Sequence, residues 1–263
     1  MNSASCVKNC FKICVWNLNG VKNKFMSKIT NDVIQNSDVV VITETNFNIR
    51  TKCPGNFVLL EKSPPTESKR PRGGVAIYKK IHCPLQITTL LNLTDCIVCE
   101  IKDTNIILVA IYILPSTSNF FNEDYYDTLK SLLLYHLPNK LVYILGDLNS
   151  RYGDLNINNN NMRAQYKPNP DSTINANGQK LKKLLDQFPN ITLLNGLLDQ
   201  NKFDSNFTFM RGKHATQIDI CLTNNVSNTI NPKILTKTAI SDHCPLTITI
   251  SFKPFFPLSF LER

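Results

Sequence analysis

No uninterrupted apolar run in this 263-residue chain approaches the roughly 20 residues that span a bilayer, so no membrane segment is expected. The amino terminus, Met1-Asn-Ser-Ala-Ser-Cys-Val-Lys8, lacks a basic region followed by an apolar stretch, and no secretory signal is expected either. There is no glycine-rich phosphate loop, and no serine stands in a nucleophile elbow, which sets aside the P-loop nucleotide hydrolases and the serine hydrolases built on that turn. Cys6, Cys10 and Cys14 recur every four residues, yet no nearby histidine or fourth cysteine completes a zinc set. The nine cysteines are an odd number, and several (Cys96, Cys99, Cys221) fall inside apparent strands. Buried free thiols in a reducing, intracellular compartment are the expectation.

What is present is a folding composition with a basic balance. Hydrophobic residues make up 42% of the chain, 14 of them Phe, and the length can bury a large core. Lys and Arg total 29 against 20 acidic residues, giving a net charge of +9 and favouring a polyanionic partner. Charge alone fits nucleic acid and an anionic membrane surface equally. No linker divides the chain, so one domain is expected over residues 1–253, with 254–263 a tail or the start of a linker.

Strands are expected wherever apolar β-formers run together. The first is Phe11–Trp16, the second Asp38–Ile42, and a third follows Gly73-Gly74. Ile87–Leu93, Cys96–Ile101 and Ile106–Ile113 follow one another with short turns, hence antiparallel. Leu141–Leu145 is a buried strand, and later strands lie at 192–194, 207–210, 216–222, 230–236 and 245–252. Helical spacing predicts helices over 21–36, 120–137 and 178–188. Residues 62–72 read as an exposed basic loop and 157–177 as a long Asn-rich one. Many antiparallel strands with helices between them suggest an α/β arrangement of two packed sheets with helices outside.

Polar residues cluster at the strand ends: Asn17, Glu44, Tyr112, Asp147, Asn149, Asp219, Asp242 and His243. In an extended chain, residues two apart share a face, so Asp147 and Asn149 are expected to look out together beyond Gly146. Each has an ordinary alternative. Asn17 and Asn19 are natural turn formers before Gly20, Glu44 a helix cap, and Asp219 a salt-bridge partner. Taken together, oxygen ligands with a carboxylate suit a hard divalent cation. Ser241-Asp242-His243 is the most specific element, because a carboxylate beside an imidazole makes an acid–base or phosphate-binding group. A triad using Ser241 is not expected, since sequence neighbours rarely meet in that geometry.

In order, Trp16-Asn17-Leu-Asn19-Gly20, Thr43-Glu44-Thr45, Ile111-Tyr112, Gly146-Asp147-Leu-Asn149, Ile218-Asp219 and Ser241-Asp242-His243-Cys-Pro245 resemble the motifs of the endonuclease/exonuclease/phosphatase superfamily. That superfamily includes deoxyribonuclease I and the exonuclease III-type apurinic endonucleases. Gly73-Gly74-Val-Ala-Ile-Tyr78 and Gln217-Ile-Asp219-Ile-Cys-Leu222-Thr look closest to the apurinic-like endonuclease domains of LINE-type (non-LTR) retrotransposons. Such domains nick chromosomal DNA, and the new 3′-hydroxyl primes reverse transcription. The resemblance implies a four-layer sandwich, two mostly antiparallel sheets face to face with helices outside. It also implies a Mg²⁺-dependent DNA endonuclease, with Mn²⁺ as an alternative ion, acting on double-stranded DNA alongside or fused to a reverse transcriptase. A nuclear location follows if the source is a eukaryotic retrotransposon.

The implied roles are residue by residue. Glu44, helped by Asn17, holds the metal; Asp147 deprotonates the attacking water; Asn149 holds that water or a phosphate oxygen. His243, paired with Asp242, stabilises the phosphorane, Tyr112 touches the scissile phosphate, and Asp219 supports the metal or leaving group. DNA contacts are expected from the basic turn Arg211, Lys213 and His214, from neighbouring Thr208, and from Arg70 and Arg72, with Lys69, Arg50 and Lys52 as further candidates. Two departures stand out. Asn46 and Phe47 follow Thr45 where many relatives carry His or Trp, and Gln217 and Ile220 flank Asp219 where repair enzymes carry other residues. The alternatives are an apurinic/apyrimidinic repair endonuclease, a lipid or inositol phosphatase of the same superfamily, and a catalytically idle nucleic-acid-binding relic.

Overall fold

Residues 9–22, 24–46, 55–64, 72–153, 170–197 and 207–252 are described by a computed structural model. In chain order the first elements are β1 (Cys10–Asn17), α1 (Lys28–Ile34), β2 (Val39–Thr43), β3 (Phe57–Lys62), β4 (Val75–Lys80), β5 (Ile87–Leu93) and β6 (Cys96–Ile101). Next come β7 (Ile106–Tyr112), α2 (Asp124–His136), β8 (Leu141–Asp147), α3 (Ala176–Gln187) and β9 (Thr192–Leu193). The last are β10 (Phe209–Arg211), β11 (His214–Thr216), β12 (Asp219–Thr223), β13 (Thr229–Ile234) and β14 (Leu246–Ser251).

The strands form two six-stranded sheets, ordered β13-β14-β1-β2-β4-β3 and β5-β6-β7-β8-β12-β9, with β10-β11 a separate hairpin. Pairing is antiparallel except between β1 and β2 and between β7 and β8. Because strand side chains alternate, Ile13 and Val15 of β1 face inward with Leu108, Ala110, Tyr143 and Leu145 of the second sheet. Cys14 and Trp16 face outward and pack with Phe25 and Ile34. The second sheet's outer face buries Val109, Ile111 and Ile144 under Leu129 and Leu133 of α2 and Leu181 and Leu184 of α3. Strands covered on both faces need continuous apolar runs, which is what β2 and β7 show. Truncating Leu129, fully enclosed in that layer, would cost about 2–5 kcal/mol.

The four-layer arrangement matches the expected fold, with local differences. The first helix is seven residues long rather than spanning 21–36, because Ser27 caps it, its Oγ accepting from the Thr30 amide at 3.1 Å. Phe25 is buried in the preceding turn, and Ile29 is exposed. Strand β3 was not expected: it is an edge strand with a register shift, and its exposed apolar Val58 and Leu59 break the alternation. No helix among the described residues is long and apolar enough to cross a membrane.

Candidate active site

Register builds the site. In the second sheet, Tyr112 pairs with Asp147, and Asp147 with Asp219, so three polar residues lie in one row across β7, β8 and β12. In the first sheet, Asn17 closes β1 opposite Thr43, and Glu44 follows at once. Gly146 makes the approach of β8 feasible: it sits at φ +152°, and a Cβ there would overlap the Ile111 carbonyl.

The two sheets are joined through Asn17. Its buried Nδ2 donates to Glu44 Oε2 at 3.0 Å and to Asp147 Oδ2 at 2.8 Å, and its Oδ1 accepts from the Asn19 amide at 2.7 Å. Asp147 Oδ1 accepts the Asn149 amide at 2.8 Å. Burial, and then the carboxylate of Asp219 directly across the ladder, push the Asp147 carboxyl up to about 8. His243 Nδ1 lies 2.8 Å from Asp219 Oδ2, and its Nε2 faces Asp147 Oδ2 at 3.9 Å. Burial works against the charged ring, but Asp219, Asp147 and Glu44 prevail and hold its pKa at about 9, so at neutral pH it is an imidazolium. Tyr112 is raised well above the ordinary phenol range, by burial first and then by Glu44 and Asp147, and remains a hydroxyl donor.

Three expectations are corrected. Asp242 is not the partner of His243. Neighbours along an extended segment point opposite ways, and Asp242 turns outward to Lys237 at 3.3 Å and Arg211 at 3.8 Å while Asp219 takes the imidazole. Asn149 does not simply share the face of Asp147: β8 ends at Asp147, and Asn149 lies at φ +47° with Nδ2 donating to the Ile113 carbonyl at 2.8 Å. Thr208 is fully buried, and its Oγ1 accepts the amides of Ile218 and Asp219, each at 2.9 Å, so it fixes β12 rather than facing a ligand. Arg211, Lys213 and His214 are exposed on the β10–β11 hairpin as expected, and Arg72 is exposed above the Phe120 ring at 5.7 Å. Arg50, Lys52, Lys69 and Arg70, with Cys6 and Phe47, lie outside the described residues.

Several contributors were not foreseen. Trp16 Nε1 donates to the His243 carbonyl at 2.9 Å, Ser241 Oγ donates to the Asn17 carbonyl at 2.7 Å, and the Phe209 ring meets His243 edge-on at 4.9 Å. Asp95 is fully buried at φ +58° and accepts from the Gly74 amide and, at 3.0 Å, from the Tyr125 hydroxyl. The carbonyls of Gly73 and Gly74 in turn accept the amides of Asn46 (2.8 Å) and Thr45 (3.1 Å), which fixes the turn carrying Glu44. Nothing in the sequence around Leu93-Thr-Asp95-Cys signals this role, because an isolated Asp there reads as a turn former.

No family model matches the sequence, and no curated protein does. Solved structures do match. The apurinic (AP) endonuclease LMAP from Leishmania major superposes with a TM-score of 0.69 at 14% identity, over 93% of this chain and 88% of the other. The endonuclease domain of TRAS1, a telomere-specific non-LTR retrotransposon, gives 0.61 at 14% identity over 92% and 99%. The 3′–5′ exonuclease NExo from Neisseria meningitidis gives 0.64 at 15% over 92% and 100%. The fold is the one that these endonuclease and exonuclease structures share.

The residues present fit a divalent cation. The carboxylates of Glu44, Asp147 and Asp219 all act on His243, and Asp219 Oδ1 is buried with no hydrogen-bond partner among the described residues. Asp147, Asp219 and His243 place ligand-type atoms within 4.8 Å of one another. Since His243 is already engaged by Asp219 and charged, that trio is better suited to sharing protons, and the Glu44–Asn17–Asp147 side to holding a hard ion.

Proposed function

We propose that this chain is a divalent-metal-dependent DNA endonuclease that hydrolyses a backbone phosphodiester and leaves a 3′-hydroxyl. The observation that carries the reading is the buried pair of couplings Asn17–Asp147 and Asp219–His243, which sets a base and an imidazolium 3.9 Å apart where the two sheets end. Glu44 and Asn17, with Asp147 beside them, would hold Mg²⁺ or Mn²⁺, which supplies polarisation of the phosphate and neutralises the leaving oxygen.

In its ionised form, which a cation held by Glu44 and Asn17 beside it would favour, Asp147 takes a proton from water. The water oxygen bonds to phosphorus, the P–O3′ bond breaks, the water proton passes to Asp147, and the departing O3′ takes a proton from solvent to become the 3′-hydroxyl. Asn17 keeps Asp147 Oδ2 turned toward Glu44, so the base cannot rotate away. His243 donates from Nε2 to a non-bridging oxygen as charge builds on phosphorus, and Asp219 orients the ring and favours its charged form. The Tyr112 hydroxyl donates to the same phosphate. Asn149 fixes the β7–β8 exit loops through the Ile113 carbonyl.

Within this class the retrotransposon type is favoured. The basic hairpin tip Arg211-Gly212-Lys213-His214 projects beside the site, the net charge of +9 suits duplex DNA, and TRAS1 shares the fold. Its nick would then prime reverse transcription. The test is incubation of supercoiled plasmid with Mg²⁺ or EDTA, beside an Asp147→Ala control and an abasic duplex. Metal-dependent nicking of intact plasmid, lost in the control, is expected. Cutting confined to the abasic duplex would move the assignment to repair, and cutting of neither would reject a DNA nuclease.

A further inference from the structure

A cleft of about 650 Å³ opens beside Glu44 and Tyr112, between the 44–46 turn, Arg72 and the segment that leaves β7. Its walls do not resemble a surface made only to slide along a phosphate backbone. Phe120 is partly exposed in one wall, and the Arg72 guanidinium lies 5.7 Å from its ring centroid. Asn46 also lines the cleft, and its Oδ1 is buried from solvent with no hydrogen-bond partner among the described residues. An amide oxygen in that state is destabilising unless a ligand supplies an N–H. Thr117, Ser118 and Asn119 complete the polar lining, with Leu114 and Pro115 supplying apolar surface.

An aromatic face, a planar cation and an orphaned acceptor, grouped next to a phosphate-directed tyrosine, match the chemistry of a nucleobase. Its π-face stacks on Phe120 and Arg72, and its exocyclic or ring N–H reaches Asn46. A paired base offers neither its face nor its Watson–Crick edge. We infer that this cleft is a nucleobase subsite that takes an unpaired nucleotide adjacent to the scissile phosphate. The inference rests on the nuclease reading for the phosphate's position, and it deepens that reading by naming the substrate: DNA with an unpaired base beside the cut. The unpaired base can come from a single-stranded tract or be expelled from a distorted duplex.

Binding is measured in EDTA, so that no cutting intervenes, by fluorescence of 2-aminopurine in three probes: a single strand, a duplex with one bulged 2-aminopurine, and a fully paired duplex. The protein and its Phe120→Leu variant are compared, with circular dichroism verifying that the variant folds. Phe120 is partly exposed, so the change leaves the core intact. The wild type is expected to bind at least one unpaired probe about fivefold or more tighter than the paired duplex, with quenching from stacking, and Phe120→Leu to erase the difference. A preference for the single strand alone assigns the subsite to a single-stranded flank, and a preference for the bulge alone assigns it to expelled bases. Each supports the subsite. Equal binding of all three by the wild type, or a preference that survives Phe120→Leu, overturns it. Plasmid nicking is run in parallel with Mg²⁺. Nicking without base preference leaves the nuclease reading standing and the subsite rejected. A Phe120-dependent preference without nicking keeps the subsite and removes the nuclease.

Discussion

The floor of the site and its rim are built by different means. On the floor, Asn17, Asp147, Asp219 and His243 are each at most 5% exposed, come from β1, β8, β12 and the turn before β14, and are fixed by ladder register and by one another. On the rim, Asn46, Arg72, Phe120, Arg211, Lys213 and His214 sit on turns or at hairpin ends, and most are exposed. Buried charges of the floor interact strongly and shift each other's protonation, whereas rim charges are screened by water and salt. On the proposed function, chemistry therefore belongs to the floor, and choice and grip of the nucleic acid to the rim. Substitutions should divide along that line.

The largest effects are expected on the floor. His243→Ala or Asp147→Ala should lower the nicking rate of bound DNA by about 10²–10⁴-fold with little change in affinity, measured by single-turnover cleavage beside a filter-binding assay. A rate loss matched by an equal affinity loss would break the division. Asp219→Asn should come next. It removes the first charge that raises His243, so the ring's pKa falls from about 9 back toward its ordinary 6.5. Because the imidazolium is the active form, the wild-type rate should decline as pH rises through about 9, and the variant's decline should begin at lower pH. A pH–rate profile with an unmoved alkaline limb would show that Asp219 does not charge the ring.

Between floor and rim stands Asp95, buried and reaching Glu44 through the Gly73-Gly74 turn. Asp95→Ala is expected to destabilise by about 1–3 kcal/mol and to weaken binding of Mn²⁺ to the DNA-free protein, since the Glu44 turn loses its anchor. Asp95→Asn, which still accepts from Gly74, should restore both. Urea unfolding and Mn²⁺ electron paramagnetic resonance separate the two effects, and a stability loss with unchanged Mn²⁺ affinity would confine Asp95 to a structural role. The smallest effect belongs to the rim. Lys213→Ala should weaken binding only a few-fold and lower the salt slope by about one if it contacts a phosphate, with the rate of the bound complex unchanged.

The floor was more legible in the sequence than the rim. An apolar run that stops at a polar residue marks a strand end, and Asn17, Glu44, Tyr112, Asp147, Asp219 and His243 all announce themselves so. What a linear pattern does not carry is register. Asp219 faces Asp147 and grips His243 only because β12 pairs antiparallel with β8 at that offset, and the adjacent Asp242 was the natural but wrong partner. Thr208 was misread for a related reason. A threonine beside a basic turn looks like a surface residue until the fold turns its hydroxyl onto two amides. Strand β3 escaped notice because an irregular edge strand lacks alternation, and the short first helix because a cap at Ser27 outweighs apolar spacing upstream.

The β10–β11 hairpin joins these two worlds along one short piece of chain. Its root is tied to the floor: Cys244 donates to the Thr208 carbonyl at 2.6 Å, Met210 to the Asp242 carbonyl at 2.8 Å, and Phe209 touches the imidazole. Its tip is exposed, and a Cβ added at Gly212 would meet nothing within 4 Å, although the φ of +59° still favours glycine. On the proposed retrotransposon reading, a lineage under pressure to change its genomic address could lengthen, shorten or rewrite the tip without disturbing hydrolysis, while the root three residues away would stay fixed.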